Sequence, residues 1–453
     1  MLPRMRRSLS PTHALDLALA ALSRNRASEC LRRAAPALGD VGADAAAADV
    51  VARAAVSLGH MNLARIAFET AARTLAIRGM TGHAVAAALS ARRLTGNGEI
   101  LSELAAVLGA DAERAVDTSV HPPPLRSDEV TPIPDEVPMS EVFERAHASI
   151  EAMRAKLPER LPARSAHALW GALPRGAFER FAETLEVRLC PPGEEVIREG
   201  ERDGRVFFVA RGEVRVLRRP LERDSVLPLV DAEPVLTGDE LAVLGAETVF
   251  GEMALLTAAP RAASAITTRA CLLLEASREA VDAASKEVPA LGYELARWGR
   301  QRLVQNLLRT APLLRSVDAA GRETLTGAIE TRTYAPGDVL IAQGAEAVGL
   351  HLIASGRVAV RRIEGERTIA IAALGPGEAV GEVSLLLRRP TSAEVVALEP
   401  TVALVLLPEH FMSVVRANPP LLASLYELAV TRDEEMHSVI ARAPDDADHL
   451  LIV

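Results

Sequence analysis

The sequence predicts an α+β protein of several domains: an N-terminal all-α region, then two copies of a β-roll (jelly-roll) domain with flanking helices. Three observations support this fold class. Up to about residue 118 the chain is rich in alanine and leucine, with apolar positions at helical spacing. Beyond that, glycine-containing turn motifs occur twice in the same order. A chain of 453 residues is also too long for one ordinary hydrophobic core.

The helical region, residues 1–118, has a clear apolar face between Leu63 and Leu75, and Gly79 follows as a helix stop. Further helices are predicted near 44–58, 81–94 and 99–109. Antiparallel helix pairs of this length resemble degenerate tetratricopeptide-type repeats, which stack into a protein-binding surface. A plain small helical bundle explains the same pattern, so both alternatives stay open.

A proline-rich segment follows the helical region. Its six prolines are Pro122, Pro123, Pro124, Pro132, Pro134 and Pro138. Proline lacks an amide donor and fixes φ, so the segment is incompatible with regular structure. We therefore predict a semi-rigid linker at 119–140, followed by a helical connector at 141–164.

The rest of the chain repeats itself. The recurring motifs are Pro192-Gly193 with Pro336-Gly337, Gly212 with Gly356, and Gly251-Glu252 with Gly381-Glu382. The first two pairs lie 144 residues apart and the third lies 130 apart, so the first copy carries 14 additional residues. We place them in a loop between Pro220 and Gly238. The predicted boundaries are 165–310 for the first copy, 311–440 for the second and 441–453 for an acidic tail.

Turn chemistry in both copies predicts short β-strands. A Pro-Gly pair before a β-branched run is typical of a turn that leads into a strand, and many short strands at regular spacing indicate a sandwich or jelly roll. Each copy begins with a short helical piece. Residues from about 277 to 310 have a helical pattern and form a tail after the first copy.

One motif in the first copy indicates anion binding. Gly251-Glu252 opens a single apolar helical turn, and Pro260-Arg261 follows eight residues later. The N–H groups at the start of a short helix are unsatisfied and can hold an anion, while glycine lets the backbone approach it. A guanidinium matches phosphate oxygens with two parallel hydrogen bonds. The pattern therefore predicts a phosphate site anchored by Arg261.

This order of residues resembles the phosphate-binding cassette of the cyclic nucleotide-binding domain family, and the resemblance extends over about 165–440. It implies an eight-stranded β-roll with helices at both ends. It also implies that Arg261 binds the cyclic phosphate, that Glu252 accepts the ribose 2′-hydroxyl proton, and that Trp298 of the tail stacks on the purine. The predicted ligand-binding residues are Gly251, Glu252, Met253, Ala254, Arg261, Ala262, Ser264 and Trp298.

Structural roles remain the alternative for these residues. Glu252 also suits a helix N-terminus electrostatically, and Arg261 also suits a solvated surface. Trp298 also suits a core position that holds the helical tail against the roll.

The resemblance favours cAMP over cGMP as the ligand. Family members that prefer cGMP tend to carry a threonine directly after the cassette arginine, and here that position is Ala262.

The second cassette is degenerate. It comprises Gly381, Glu382, Thr391 and Ser392. Thr391 stands where the anchoring arginine is expected, and Glu394 stands where the first copy has Ser264. Leaving a buried charge without its partner costs about 2–5 kcal/mol, so we predict that the second roll does not bind cyclic nucleotides. A substitute cation from Arg388 or Arg389 is the alternative, although both precede Pro390.

Composition and motifs disfavour several other classes. A net charge of −9 is unfavourable for nucleic-acid binding, and no run of about 18 apolar residues indicates a membrane span. The three cysteines form no metal or redox motif, which predicts buried thiols. No P-loop, kinase loop, hydrolase elbow or metal-spaced cluster occurs, so we expect neither catalysis nor a metal. The N-terminus is a poor signal peptide, which favours a cytoplasmic protein.

These observations favour a non-catalytic regulatory protein that binds cAMP in its first roll and relays occupancy through helices to a protein partner. An interaction scaffold whose rolls have both lost ligand binding is the alternative. Two rolls in tandem resemble the regulatory subunits of cyclic-nucleotide-dependent kinases, but the 119–140 linker contains no basic pseudosubstrate-like stretch. No helix-turn-helix pattern follows the last helix, which disfavours DNA binding. A homodimer stays open.

Overall fold

The computed structural model describes residues 9–39, 44–110, 129–162, 168–218, 239–252, 260–314, 317, 325, 327–346, 348–365 and 367–442. These residues form two compact units. The first unit comprises 1–199, 204–252 and 263–296, and the second comprises 200–203, 253–262 and 297–453.

The N-terminal part of the first unit is helical, as predicted. Its helices are α1 (Pro11–Ser23), α2 (Ala27–Ala34), α3 (Asp44–Ser57), α4 (Met61–Ile77), α5 (Thr81–Thr95), α6 (Glu99–Leu108) and α7 (Met139–Arg154). Small alanine side chains fill most of the core of this region, which allows α3, α4 and α5 to pack closely in chain order. Buried Asp49 of α3 accepts two hydrogen bonds from Arg53 of the same helix and lies 3.1 Å from His83 of α5, so it links α3 to α5. The tetratricopeptide-like assignment stays a prediction.

The described part of the predicted linker is tied to the helical region. Val130 pairs with Leu9 as an isolated antiparallel bridge. The guanidinium of Arg32 donates hydrogen bonds to the carbonyl oxygens of Pro134 and Val137. Because proline-rich backbone has carbonyls without neighbouring donors, one buried arginine can hold several of them at once. This stretch is therefore held against the helical region by contacts that the prediction of a semi-rigid linker did not include.

The first β-roll follows two short helices, α8 (Ala168–Gly171) and α9 (Arg175–Glu183). Its strands are β1 (Glu186–Cys190), β2 (Glu195–Ile197), β3 (Val206–Arg211), β4 (Val214–Arg218), β5 (Asp239–Leu244), β6 (Thr248–Phe250), β7 (Ser264–Thr267) and β8 (Cys271–Ala276). They form two four-stranded sheets with the orders β1-β8-β3-β6 and β2-β7-β4-β5. Helices α10 (Arg278–Glu287) and α11 (Pro289–Thr310) follow.

The second β-roll repeats this topology. Its strands are β9 (Ile329–Tyr334), β10 (Val339–Ile341), β11 (Leu350–Ser355), β12 (Val358–Glu364), β13 (Arg367–Leu374), β14 (Ala379–Val380), β15 (Glu394–Ala397) and β16 (Thr401–Leu406). Their orders, β14-β11-β16-β9 and β10-β15-β12-β13, are those of the first roll. A short helix, α12 (Glu382–Leu387), lies between β14 and β15, and α13 (Pro408–Ala417) and α14 (Pro419–Arg442) end the described chain. The predicted duplication of a β-rich domain with flanking helices is confirmed.

All three cysteines, Cys30, Cys190 and Cys271, are buried, in agreement with the prediction of buried thiols. Among the helices of the described residues, none has the length and hydropathy needed to cross a membrane.

Helix α5 packs against the sheet of the first roll that contains β1, β3 and β8. Gly82 of α5 faces the ring of Phe208, and that ring lies edge-on to buried Trp170, with centroids 5.8 Å apart. Asp16 of α1 adds ion pairs of 3.0 Å with Arg211 and 3.3 Å with Arg269. The helical region and the first roll therefore share one core rather than being joined only by a linker.

Glu247, in the turn between β5 and β6, reinforces this packing. Its carboxylate oxygens accept hydrogen bonds of 3.0 and 3.2 Å from the backbone N–H of Gly82, at the N-terminus of α5, where a negative charge is favourable. Burial raises the pKa of Glu247 to about 7, against the lowering effect of the backbone donors. Its φ of 63° is unusual for a residue with a side chain, which indicates that the surrounding contacts impose this conformation.

Replacing Gly82 with alanine tests the docking of α5. In an isolated helix this change would stabilise by up to about 1 kcal/mol, because glycine is a weak helix former. Here the new methyl group would lie 1.9 Å from the Phe208 ring. We therefore expect the free energy of unfolding of the full chain to fall by about 1–3 kcal/mol, measured by denaturant titration with tryptophan fluorescence.

Gly39→Ala is the matched control, since apart from its chain neighbours no atom of the described residues lies within 4 Å of the added methyl group. Its effect should stay within about 0.5 kcal/mol. A Gly82→Ala protein as stable as the wild type would contradict the close approach of α5 to the roll.

Candidate functional site

The beginning of the first cassette has the backbone geometry that the glycine predicts. Gly251 has a φ of 83°, in the left-handed region, and Glu252 is buried. Ala262 is partly exposed. Met253 and Ala254 lie outside the described residues, and so does the side chain of Trp298 on α11. The ligand-binding roles of these residues stay predictions.

Arg261 is buried rather than solvated, with 6% of its surface exposed. Its guanidinium nitrogen lies 3.7 Å from a carboxylate oxygen of Asp203. Its backbone pairs with the loop before β3: the N–H of Gly200 donates to the Arg261 carbonyl at 2.8 Å, and the Arg261 N–H donates to the Glu201 carbonyl at 2.8 Å. A neighbouring carboxylate and a fixed backbone thus hold this buried guanidinium in place.

Ser264 is engaged with groups of its own roll. Its hydroxyl donates to a carboxylate oxygen of Glu195 at 2.8 Å and accepts a hydrogen bond from the N–H of Glu199 at 3.0 Å. These bonds connect the beginning of β7 with β2 and the residues after it. The predicted contact of Ser264 with a ligand stays a prediction.

The second cassette reproduces the backbone pairing of the first. The N–H of Gly344 donates to the Thr391 carbonyl at 2.7 Å, and the Thr391 N–H donates to the Ala345 carbonyl at 2.9 Å. Thr391 is therefore the structural counterpart of Arg261. The Thr391 hydroxyl donates to the carbonyl of Ala342 at 2.5 Å, so this hydroxyl is bonded to the backbone of its own roll.

The second roll also lacks the acidic partner. Asp203 lies in the loop before β3, and the residue 144 positions later in the sequence is Ala347. The second copy has thus lost both charges of the Arg261–Asp203 pair, while its backbone frame is retained.

Glu394 and Arg389, both near the second cassette, each have a charged partner. Glu394 accepts a 2.6 Å hydrogen bond from Arg361 and does not line the cavity of this roll. Glu394 therefore adds no carboxylate to that cavity, although it stands at the sequence position of Ser264. Arg389, considered above as a substitute cation, lies 3.6 Å from Asp433 with 58% of its side chain exposed.

A cavity of about 610 Å³ lies in the second roll beneath helix α14. Gly381, Glu382, Thr391 and Ser392 line it together, as the predicted degenerate site requires. Gly381 has a φ of 92°, and a Cβ there would lie 2.4 Å from the Gly349 carbonyl oxygen, so only glycine fits.

Arg432 of α14 reaches into this cavity. Its guanidinium donates a 3.0 Å hydrogen bond to one carboxylate oxygen of Glu382 and a second bond to the Ala379 carbonyl. This contact joins residues 50 positions apart, and no sequence signal indicates it.

Sequence reasoning also missed Asp203, although comparison of the two copies would have found an acidic residue present in only one of them. Within the part of the chain that the structure describes, no three His, Cys, Asp or Glu residues form a metal-binding group.

Comparisons with known proteins agree with this reading of the two rolls. The family model described as the cyclic nucleotide-binding domain matches residues 187–287 and 331–418. The model therefore matches one segment within each of the two predicted rolls.

Two curated relatives are both cAMP-dependent protein kinase regulatory subunits. That of Mycosarcoma maydis is 30% identical over 203 residues, which cover 45% of this chain and 37% of the relative. That of Yarrowia lipolytica is 26% identical over 229 residues, which cover 51% of this chain and 54% of the relative. The chain thus spans about half, or less, of the length of these relatives.

Among solved structures, the regulatory domain of Toxoplasma gondii PKA with cAMP is 23% identical and covers 59% of this chain and 92% of its own. Its TM-score is 0.27, so this likeness supports no conclusion about the present chain.

Proposed function

We propose that the protein is a non-catalytic cyclic nucleotide sensor that binds cAMP in its first roll and signals occupancy through helices to a protein partner. The observation that carries this proposal is the buried Arg261 with its Asp203 neighbour. A buried guanidinium is costly to maintain for packing alone, whereas it gives a cyclic phosphate a pre-oriented, charge-assisted contact. The match of this roll to the cyclic nucleotide-binding domain supports the same ligand class.

In this proposal Arg261 binds the cyclic phosphate and Glu252 accepts the ribose hydroxyl. The second roll does not take part, because Thr391 cannot neutralise a phosphate and its hydroxyl is already bonded to Ala342. Ala262, which offers no hydroxyl to a guanine amino group, favours cAMP over cGMP. The curated relatives are kinase regulatory subunits, which supports a protein partner as the recipient of the signal.

Arg261→Ala should weaken cAMP binding about 10- to 100-fold, because charge-assisted hydrogen bonds contribute about 1.5–3 kcal/mol. Isothermal titration calorimetry on the full chain measures this change. The full chain is required because α5 packs on the first roll, and a fragment starting near residue 165 would expose Phe208.

Arg389→Ala is the matched control, since it removes an exposed arginine beside the second cassette and should leave cAMP affinity unchanged. Two results would contradict the proposal: no heat with wild-type protein at about millimolar cAMP, or equal affinity of the Arg261→Ala and wild-type proteins. The first would favour a scaffold that no longer binds nucleotides.

The relay is proposed to run through α11. Leu291 and Leu295 in its first half are buried within the first unit, and Val304 and Leu307 in its second half belong to the core of the second unit. A ligand shifts such a helix only if it binds better to one of its positions than to the other. The partner surface would then lie on helices other than α5, whose face is covered by the first roll.

Hydrogen exchange with and without saturating cAMP tests the relay. We expect protection between Leu291 and Leu307 to change, because the helix joins the liganded roll to the next domain. Helix α3, deep in the helical region, serves as the internal reference and should exchange equally in both states. Unchanged exchange across α11, with cAMP binding verified in the same sample, would exclude this helix as the relay.

A further inference from the structure

The turn that leads into the cassette strand differs between the two rolls. In the first roll Glu247 lies in this turn, and its N–H donates to the carbonyl of Val209 at 2.8 Å. In the second roll Gly377 holds the equivalent place, since its N–H donates to the carbonyl of Ile353 at 2.8 Å. Both residues have a positive φ, 63° for Glu247 and 93° for Gly377. The first roll thus has a glutamate at a backbone position that favours glycine.

The side chain of Glu247 caps a helix from outside its own roll. Met80 stands at the N-cap of α5, and its side chain makes no capping hydrogen bond. The Glu247 carboxylate instead accepts hydrogen bonds of 3.0 and 3.2 Å from the N–H of Gly82, 165 positions away in the sequence. Because the first N–H groups of a helix have no partner within the helix, this carboxylate takes the place of a local cap. The beginning of α5 and the turn before β6 therefore stabilise each other.

Strand β6 connects this contact with the first cassette. It has three residues, Thr248–Phe250, and begins directly after Glu247. The ring of its last residue stacks on that of Phe207 in β3, with centroids 5.1 Å apart. Gly251 and Glu252, the first residues of the cassette, follow at once. Because three residues of strand span only about 10 Å, a shift of the turn moves the start of the cassette as well.

We propose that Glu247 is a positioning residue for the cyclic nucleotide site, and that through it the docked helical region raises the affinity of the first roll for its ligand. The contact with α5 fixes β6 and thereby sets Gly251 and Glu252 in place before a ligand binds. A site that is ordered in advance binds more tightly, because binding does not have to supply the cost of ordering it. This role of Glu247 rests on the cAMP binding proposed for the first roll.

The same contact gives the helical region a way to respond to the ligand. Coupling between two sites is reciprocal, so whatever factor the docked α5 adds to cAMP affinity, bound cAMP adds to the docking of α5. The helical region would then receive the signal through Glu247, in addition to the relay proposed for α11.

Calorimetry of the full chain with cAMP tests the role of Glu247 in binding. Glu247→Gly introduces the residue type that the second roll has in this turn, so it removes the carboxylate but suits the positive φ. The affinity for cAMP should fall about 3- to 30-fold. Equal affinity of the Glu247→Gly and wild-type proteins would overturn the proposal.

Two further variants make this result specific. Glu247→Gln keeps a side-chain carbonyl oxygen for the N–H of Gly82. Because burial raises the pKa of Glu247 to about 7, a neutral amide is a close substitute near neutral pH, and this variant should bind cAMP as the wild type does. Loss in Glu247→Gln equal to that in Glu247→Gly would contradict a role through this hydrogen bond. Glu240→Gln is the matched control, since it changes an exposed carboxylate on β5 that pairs with Arg215 at 3.0 Å.

Hydrogen exchange without ligand tests the positioning directly. The amides of residues 248–252 should exchange faster in Glu247→Gly than in the wild type, with β16 of the second roll as the unchanged reference. Equal exchange over 248–252 would overturn the proposal. Absence of cAMP binding to the wild type would count against the function proposed for the first roll, and exchange over 248–252 would still decide whether Glu247 positions this segment.

Thermal denaturation verifies that the variants fold. If Glu247→Gly does not fold, exchange of the wild type with and without saturating cAMP decides through the reciprocal effect. The N–H of Gly82 should then be better protected in the presence of cAMP, and unchanged protection there, with cAMP bound, would overturn the coupling.

Discussion

A guanidinium buried in a folded protein must be matched by negative charge, and the difference between the two rolls follows from this requirement. In the first roll Arg261 is buried with Asp203 at 3.7 Å. In the second roll Thr391 occupies the same backbone position, and its hydroxyl bonds to the adjacent chain. One copy thus keeps a buried cation, which we propose receives a phosphate, and the other keeps the frame and the cavity without that cation.

The helical region packs directly on the first roll. Its helix α5 covers one sheet of that roll, and Glu247 binds the N-terminus of the same helix. Ion pairs of Asp16 with Arg211 and Arg269 extend the contact. Because these elements share one core, the helical region stabilises the roll directly. Only its remaining faces are left for a partner.

Some features of this fold are determined by local sequence, and others depend on contacts between distant residues. The duplicated glycine turns predicted two rolls, and the positive φ of Gly251 and Gly381 follows from local sterics that a motif records. The contact between Gly82 and Glu247 joins residues 165 positions apart, and the one between Arg432 and Glu382 depends on where a distant helix docks. Such contacts leave no periodic pattern, so they could not be predicted. The packing of the proline-rich stretch was missed for the same reason, since it depends on Arg32.

Equilibrium dialysis of the full chain with labelled cAMP tests the central claim most directly, because it counts sites without altering the protein. The account predicts one bound cAMP per chain at saturation, since the cassette position that Arg261 occupies beside Asp203 in the first roll is Thr391 in the second. Two bound molecules per chain would show that Thr391 does not disable the second roll for phosphate. None would show that the Arg261–Asp203 pair serves packing and not ligand binding.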